Sequence, residues 1–359
     1  MKFSLVPTAR LPLLCSCLWS CLWSCLGLLA LPVLMPPTAA EATEAGWRQI
    51  TIPVSATNPT AIPVALYYPT QTSARAIPMG PSTLRVAIGA PPDPKVKGLI
   101  IVSHGTGGSE LGHTSLAEAL ARHGYLVAAL RHPGDNWEDH SIWQQPPGTF
   151  FTERPRQASR VIDALLADPE WKDKIATDVQ GPRIGAVGHS AGGYTVIALA
   201  GGQVELSRIG AHCKTDSKDD PLFCSMGGDS KSPPPATTLL PLATDPRVRA
   251  VVAMAPAGVF FTAASLAAIK IPTAVYTAER DRWLVPRFHA EWIAQNVPHA
   301  EFHMIPNAWH FAFMDRPGTP IQTLDGDAAA DPPGFDREVL LTQLRKDLPA
   351  FLDKAFAQE

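Results

Sequence analysis

The stretch Arg183-Ile184-Gly185-Ala186-Val187-Gly188-His189-Ser190-Ala191-Gly192-Gly193 constrains this chain most. An apolar run of β type ends in Gly188-His189-Ser190-Ala191-Gly192, a G-x-S-x-G pattern, and a helix-forming run from Tyr194 to Ala200 follows at once. Strand, tight turn and helix in that order hold a serine where its hydroxyl stands clear of the backbone. Gly188 and Gly192 carry no Cβ and leave room for the crowded turn. The helix that starts here directs its positive end at Ser190, which favours a developing negative charge.

The flanking chain alternates strands and helices. Residues 47–54 alternate apolar and polar side chains, and residues 61–68 answer them across Asn58-Pro59. Prolines inside both runs predict edge strands. A Pro-rich stretch, residues 69–96, holds one further strand at 83–88. Residues 96–103 form a continuous apolar run, suited to a central parallel strand buried on both faces. The pattern then predicts a helix at 114–123, a strand at 125–130, a helix from about 154 to 167 and the strand at 183–187. Beyond residue 246 it predicts strands at 248–255, 271–277 and 300–305, with helices at 286–295 and near 335–357. This βαβα order predicts an α/β fold with a mostly parallel central sheet flanked by helices and joined by right-handed crossovers.

Residues 1–40 read as a cleaved export signal. Lys2 and Arg10 form a positive start, residues 11–35 carry no charge, and small residues at Thr38, Ala39, Ala40 and Ala42 offer a cleavage site. The run is also long enough for a membrane anchor, but Pro12, Pro32, Pro36 and Pro37 interrupt it. Removing Lys2 and Arg10 leaves 28 basic against 33 acidic residues and no basic stripe for nucleic acid. Four of the six cysteines leave with this segment, and Cys213 and Cys224 remain within one polar loop. In an exported protein such a pair forms a disulfide. A zinc site would lack a fourth ligand, since His212 alone is adjacent. Residues 41–359 are expected to form one domain. The polar, Gly/Pro-rich residues 203–246 read as an insertion at the carboxyl edge of the sheet, capping a pocket.

Serine is a poor nucleophile without a base, and the base needs an orienting carboxylate. Asp281 and His310 follow Ser190 in the order serine, acid, histidine, each just past a strand, and Glu279 is the second candidate acid. The glycine-rich loop Ser103-His104-Gly105-Thr106-Gly107-Gly108-Ser109 ends the central strand, where parallel sheets bind ligands. Thr106 N–H and Ala191 N–H are the expected oxyanion donors. His104, His132, Trp137 and Trp309 are candidate pocket walls. Asp325, Asp327 and Asp331 lack the closing Glu of an EF-hand and read as a solvated loop.

These motifs resemble those of α/β-hydrolases. More narrowly, the chain is similar to secreted dienelactone-hydrolase-like and platelet-activating-factor-acetylhydrolase-like serine esterases. The resemblance rests on Ser103-His104-Gly105-Thr106-Gly107-Gly108, His132-Pro133-Gly134, the Ser190 motif, Glu279-Arg280-Asp281 and Trp309-His310-Phe311. Two departures stand out. Dienelactone hydrolases use a Cys nucleophile where this chain has Ser190. The acetylhydrolases carry their acid after the preceding strand, where this chain has Ala255-Pro256-Ala257-Gly258. The resemblance implies hydrolysis of small or short-chain carboxylic esters, acetylated phospholipids among them, through an acyl-enzyme with no metal or organic cofactor. The competing readings are acyl transfer or peptide cleavage on the same triad, and a catalytically silent binding protein of the same fold.

Overall fold

The apolar run before Gly105 becomes the fifth strand of a ten-stranded sheet, and its side chains alternate between two cores. Leu99 and Ile101 pack on one face, Ile100 and Val102 on the other, and all four are buried. Such a strand needs apolar residues at every position, which is why its run is continuous. The structure is a computed structural model that describes residues 43–54, 60–226 and 239–357. The expected export signal, the Asn58-Pro59 turn and the Ser232-Pro233-Pro234-Pro235 stretch lie outside the described residues.

The strands are β1 (Glu44–Ile52), β2 (Ile62–Thr70), β3 (Arg75–Met79), β4 (Ser82–Ile88), β5 (Leu99–Ser103) and β6 (Leu126–Leu130). A two-residue hairpin, β7 (Thr177–Asp178) and β8 (Gly181–Pro182), precedes β9 (Ile184–His189), β10 (Val248–Met254), β11 (Thr273–Ala278) and β12 (Glu301–Ile305). A second small hairpin joins β13 (Gln322–Thr323) to β14 (Gly326–Asp327). The main sheet runs β12-β11-β10-β9-β5-β6-β2-β1-β4-β3 and is parallel from β12 to β6. Helices α2 (Thr149–Ala167), α3 (Ala191–Ala200), α6 (Ala263–Ala268) and α7 (Ala290–Asn296) pack on one face. Helices α1 (Thr114–Arg122) and α8 (Arg337–Ala357) cover the other.

Two expectations need correction. Strands β1 and β2 are interior to the sheet. The prolines are tolerated because Val64 to Tyr67 is the part of β2 paired on both sides, and Pro63 and Pro69 flank it. The edge strands of this sheet are β3, which carries Pro78, and β12. Helix α2 begins at Thr149, earlier than expected, with Pro155 inside it. A proline there cannot donate to the Phe151 carbonyl. The Tyr194 hydroxyl donates to that carbonyl instead, so the helix continues with its acceptor satisfied.

The described part of the insertion holds α4 (Ser207–Thr215) and α5 (Pro221–Met226), joined by the Cys213–Cys224 disulfide. Between them Asp220, fully buried, accepts hydrogen bonds through one oxygen from His212 Nε2 (2.9 Å) and His289 Nε2 (2.8 Å). His289 Nδ1 in turn accepts the Gly258 and Val259 N–H groups at 3.1 and 3.4 Å, so its proton sits on Nε2. Burial pushes the Asp220 carboxyl up, but the His289 and His212 hydrogen bonds outweigh it and hold the group below its usual value. The insertion is thereby pinned to the loop after β10. His212 and the two cysteines gather within 4.8 Å, but the sulfurs are bonded to each other and His212 is engaged by Asp220. Among the described residues, no helix is long and apolar enough to cross a membrane.

Candidate active site

Six parallel strands end on one side, and the loops leaving them converge on a cavity of about 1300 Å³. Ser190 leaves β9 at φ 57° and ψ −119°, a left-handed conformation that costs a residue with a Cβ about 1–3 kcal/mol. The surroundings impose it. Ser190 N–H donates to the Met254 carbonyl (2.9 Å), and the Ser190 carbonyl accepts from Tyr194 N–H (3.0 Å) and Ala257 N–H (3.3 Å). A Cβ on Gly192 would lie 1.9 Å from the Ser103 carbonyl oxygen, and one on Gly188 would lie 2.1 Å from that of Gly192. The motif's glycines are therefore demanded by close backbone approach as well as by the turn.

His310 opens a short 3-10 turn after β12, and its Nδ1 lies 2.7 Å from Asp281 Oδ2. The other Asp281 oxygen accepts the Trp283 and Leu284 N–H groups at 2.9 and 2.8 Å. Both side chains are almost fully buried. With Nδ1–H donating to the carboxylate, Nε2 is left as the proton-accepting nitrogen. Glu279 is exposed, and its carboxylate accepts the Asn307 N–H at 2.7 Å. Ser190 and His310 both line the cavity, and no hydrogen bond joins them in this structure. Such contacts are commonly long before substrate binds. His189 supports the histidine from behind, its Nε2–H donating to the His310 carbonyl at 3.0 Å. Burial, then the neighbouring His310, hold the His189 imidazole well below the usual histidine value.

The glycine-rich loop abuts the serine, since a Cβ on Gly105 would lie 3.1 Å from Ser190 Cβ. Thr106 and Ala191 line the cavity, and among the described residues neither N–H donates to a protein acceptor. Arg154 lies under the loop, fully buried. Its Nη1 pairs with Asp135 Oδ2 (2.5 Å), Nη2 reaches the Ser103 hydroxyl (3.3 Å) and the His104 carbonyl, and Nε donates to Thr195 Oγ1 (3.1 Å). Asp135 Oδ1 accepts the Gly107 N–H at 3.1 Å. The loop's backbone is thus held by one buried ion pair.

Of the expected pocket walls, His104 and Trp137 line the cavity. His132 does not. It is fully buried behind the loop, where Nδ1–H donates to Gln157 Oε1 (2.8 Å) and Nε2 accepts the Ser103 hydroxyl (2.8 Å). Burial, then the Arg154 charge, keep the His104 and His132 imidazoles well below the usual value, so both stay neutral. Trp309 does not line the cavity either; its half-buried ring lies under the Arg282 guanidinium, 5.0 Å away. The walls not expected from sequence are Phe150, Phe151, Phe260 and Trp283, while Phe223 comes from the insertion expected to cap the pocket. The only signal for the first two was the early start of α2, hidden by Pro155. The three aspartates of the 325–331 loop point to separate partners. Asp325 pairs with Arg282, Asp327 accepts the Ile321 and Ala329 N–H groups, and Asp331 pairs with Arg316 and Arg337.

No family model matches the chain, and neither does any curated protein. Among solved structures, a ferulic acid esterase from Streptomyces cinnamoneus matches with a TM-score of 0.57 and 19% identity, over 90% of this chain and 92% of that one. A dienelactone hydrolase from Anabaena variabilis matches with a TM-score of 0.46 and 14% identity, over 87% of this chain and 99% of that one.

Proposed function

We propose a function that proceeds from one premise, that the chain has the α/β-hydrolase fold. On that fold the protein is a serine hydrolase that cleaves carboxylic esters through an acyl-enzyme. The reading is carried by the His310–Asp281 hydrogen bond at 2.7 Å, beside a serine held at positive φ on the same cavity. The ferulic acid esterase, which is similar in fold, supports it at the level of reaction type.

His310 Nε2 takes the Ser190 proton as the hydroxyl oxygen attacks the ester carbonyl. Asp281 fixes the tautomer and stabilises the imidazolium. Thr106 and Ala191 N–H groups hold the oxyanion, aided by the positive end of α3. The imidazolium then protonates the leaving alcohol, and water, activated by the same nitrogen, releases the acid and returns the proton to Ser190.

The test combines a fluorophosphonate probe with p-nitrophenyl ester turnover by the full chain. The expected result is stoichiometric labelling of Ser190, with labelling and turnover both abolished in Ser190→Ala. Turnover by Ser190→Ala at the parent rate overturns the proposal.

A further inference from the structure

We infer that the cavity over Ser190 selects uncharged esters carrying a long or bulky apolar group, and rejects esters bearing a free carboxylate or phosphate. The inference rests on the serine-hydrolase reading and names its substrate class.

Size is the first observation. A cavity of about 1300 Å³ exceeds the roughly 300–1,000 Å³ of most small-molecule sites. An acetyl group would leave most of its wall facing water. Those walls are aromatic and come from separate parts of the chain. Trp143 stacks on Phe150 with ring centres 4.9 Å apart, Phe151 meets Phe260 at 4.7 Å, and Phe223 reaches in from the insertion. Trp143 stays 51% exposed, and the rim adds Trp137, Met226, Ile321 and Leu324, which stay 58, 42, 42 and 71% exposed. Large apolar side chains gathered at one opening and left half in water favour an apolar occupant, because covering them removes apolar surface from water.

Charge is the second observation. Among the described residues, the lining holds one basic side chain, Arg131, and two acidic ones, Glu110 and Asp315. Arg131 is consumed within the protein. Nε and Nη2 meet the two Glu110 oxygens at 2.7 and 2.6 Å, and Nη1 meets Glu138 at 2.6 Å. Asp315 accepts the Thr114 hydroxyl (2.6 Å), the Ser115 N–H (2.8 Å) and the Ser115 hydroxyl. His104, His113 and His189 are held neutral by burial. Among the described residues, a substrate carboxylate or phosphate entering this wall meets no unpaired cation, and the nearest charges sum to negative. Its desolvation would go uncompensated.

The experiment measures kcat/KM of the full chain on p-nitrophenyl esters from acetate to laurate and on acetate esters of alcohols from ethyl to decyl. It adds a matched pair, p-nitrophenyl octanoate and the mono-p-nitrophenyl ester of suberic acid, which differ in a terminal carboxylate. In at least one series the octyl-length ester is expected to exceed the shortest by about tenfold or more, and the octanoate to exceed the suberate by a similar factor. Trp143→Ala, half-exposed and therefore compatible with folding, lowers the octanoate-to-acetate ratio about fivefold. An optimum at the shortest ester in both series overturns the inference, as does equal turnover of the suberate. Fluorophosphonate labelling separates the levels. A labelled Ser190 with no length preference sinks this inference alone, and an unlabelled Ser190 sinks the hydrolase reading with it.

Discussion

Arg154 and Asp135 pair at 2.5 Å with both side chains sealed from solvent, directly beneath the loop that faces Ser190. Between them they engage the Ser103 hydroxyl, the His104 carbonyl and the Gly107 N–H, so the loop's backbone geometry depends on a charge pair that water cannot replace. Removing one partner of such a pair typically costs about 3–5 kcal/mol. Asp135→Ala is therefore expected to lower stability by that order, measured by urea unfolding. Where the variant remains folded, a shifted oxyanion loop lowers kcat by about 10²-fold. Unchanged stability and kcat would show that the pair does not hold the loop.

Asp281 and Glu279 lie two residues apart, yet they carry opposite expectations. Asp281→Asn keeps the shape of the acceptor but presents the wrong group to His310 Nδ1–H, and kcat falls by about 10⁴-fold. Glu279 is exposed and bonds Asn307, so Glu279→Gln changes stability by about 0.5 kcal/mol or less. Steady-state kinetics on both variants, with urea unfolding of Glu279→Gln, check this. Comparable losses of kcat would remove Asp281 from the proposed triad.

Gly192→Ala places a Cβ 1.9 Å from a backbone oxygen at the end of β5, where no side chain can yield. A destabilisation of about 3 kcal/mol or more is expected. Equilibrium unfolding against the parent protein is the measurement, and a loss below about 1 kcal/mol contradicts the close approach.

Five buried histidines, His104, His113, His132, His189 and His289, have their pKa values lowered by burial. In the unfolded chain each regains a value near 6.5. Below about pH 6.5 the unfolded state therefore binds more protons, and stability falls as pH drops toward the folded-state values. Each histidine contributes a slope of up to about 1.4 kcal/mol per pH unit. Unfolding midpoints are expected to hold steady above about pH 7.5 and to decline steeply below about pH 6. A flat profile across that window would refute the neutral assignment.

Loss of the Cys213–Cys224 bridge, in the paired Ser variant, is expected to cost about 2–3 kcal/mol by the loop-entropy argument. Asp220→Ala leaves the His212 and His289 Nε2–H groups without their acceptor and costs about 1–3 kcal/mol. Both changes loosen the wall that carries Phe223 and Met226. Thermal unfolding of the two variants without reductant reads the effect directly. A melting temperature equal to the parent's in both would show that the insertion needs neither tie.

The strands legible in sequence were those whose pattern reports burial locally. The unbroken run at β5 and the alternating run at β1 are examples. What periodicity did not report was neighbourhood. The prolines near β1 and β2 suggested edges, yet β2 is interior because Pro63 and Pro69 flank its doubly bonded centre. Proline also disguised the start of α2, since a Tyr194 hydroxyl more than forty residues away takes the place of the missing donor.

By itself the sequence determined the strand–turn–helix around Ser190, the α/β order and the order of serine, carboxylates and histidine. Each is local, set by where glycine is needed and by the period of the apolar residues. Tertiary structure alone decided which carboxylate bonds His310, that His132 serves the loop from behind, and that Arg154 and Asp135 meet without water. It also drew the aromatic walls into one cavity. These depend on side-chain direction and on contacts between distant segments. The physical reason is that a side chain's charge and reach take effect only against the partner that folding brings beside it.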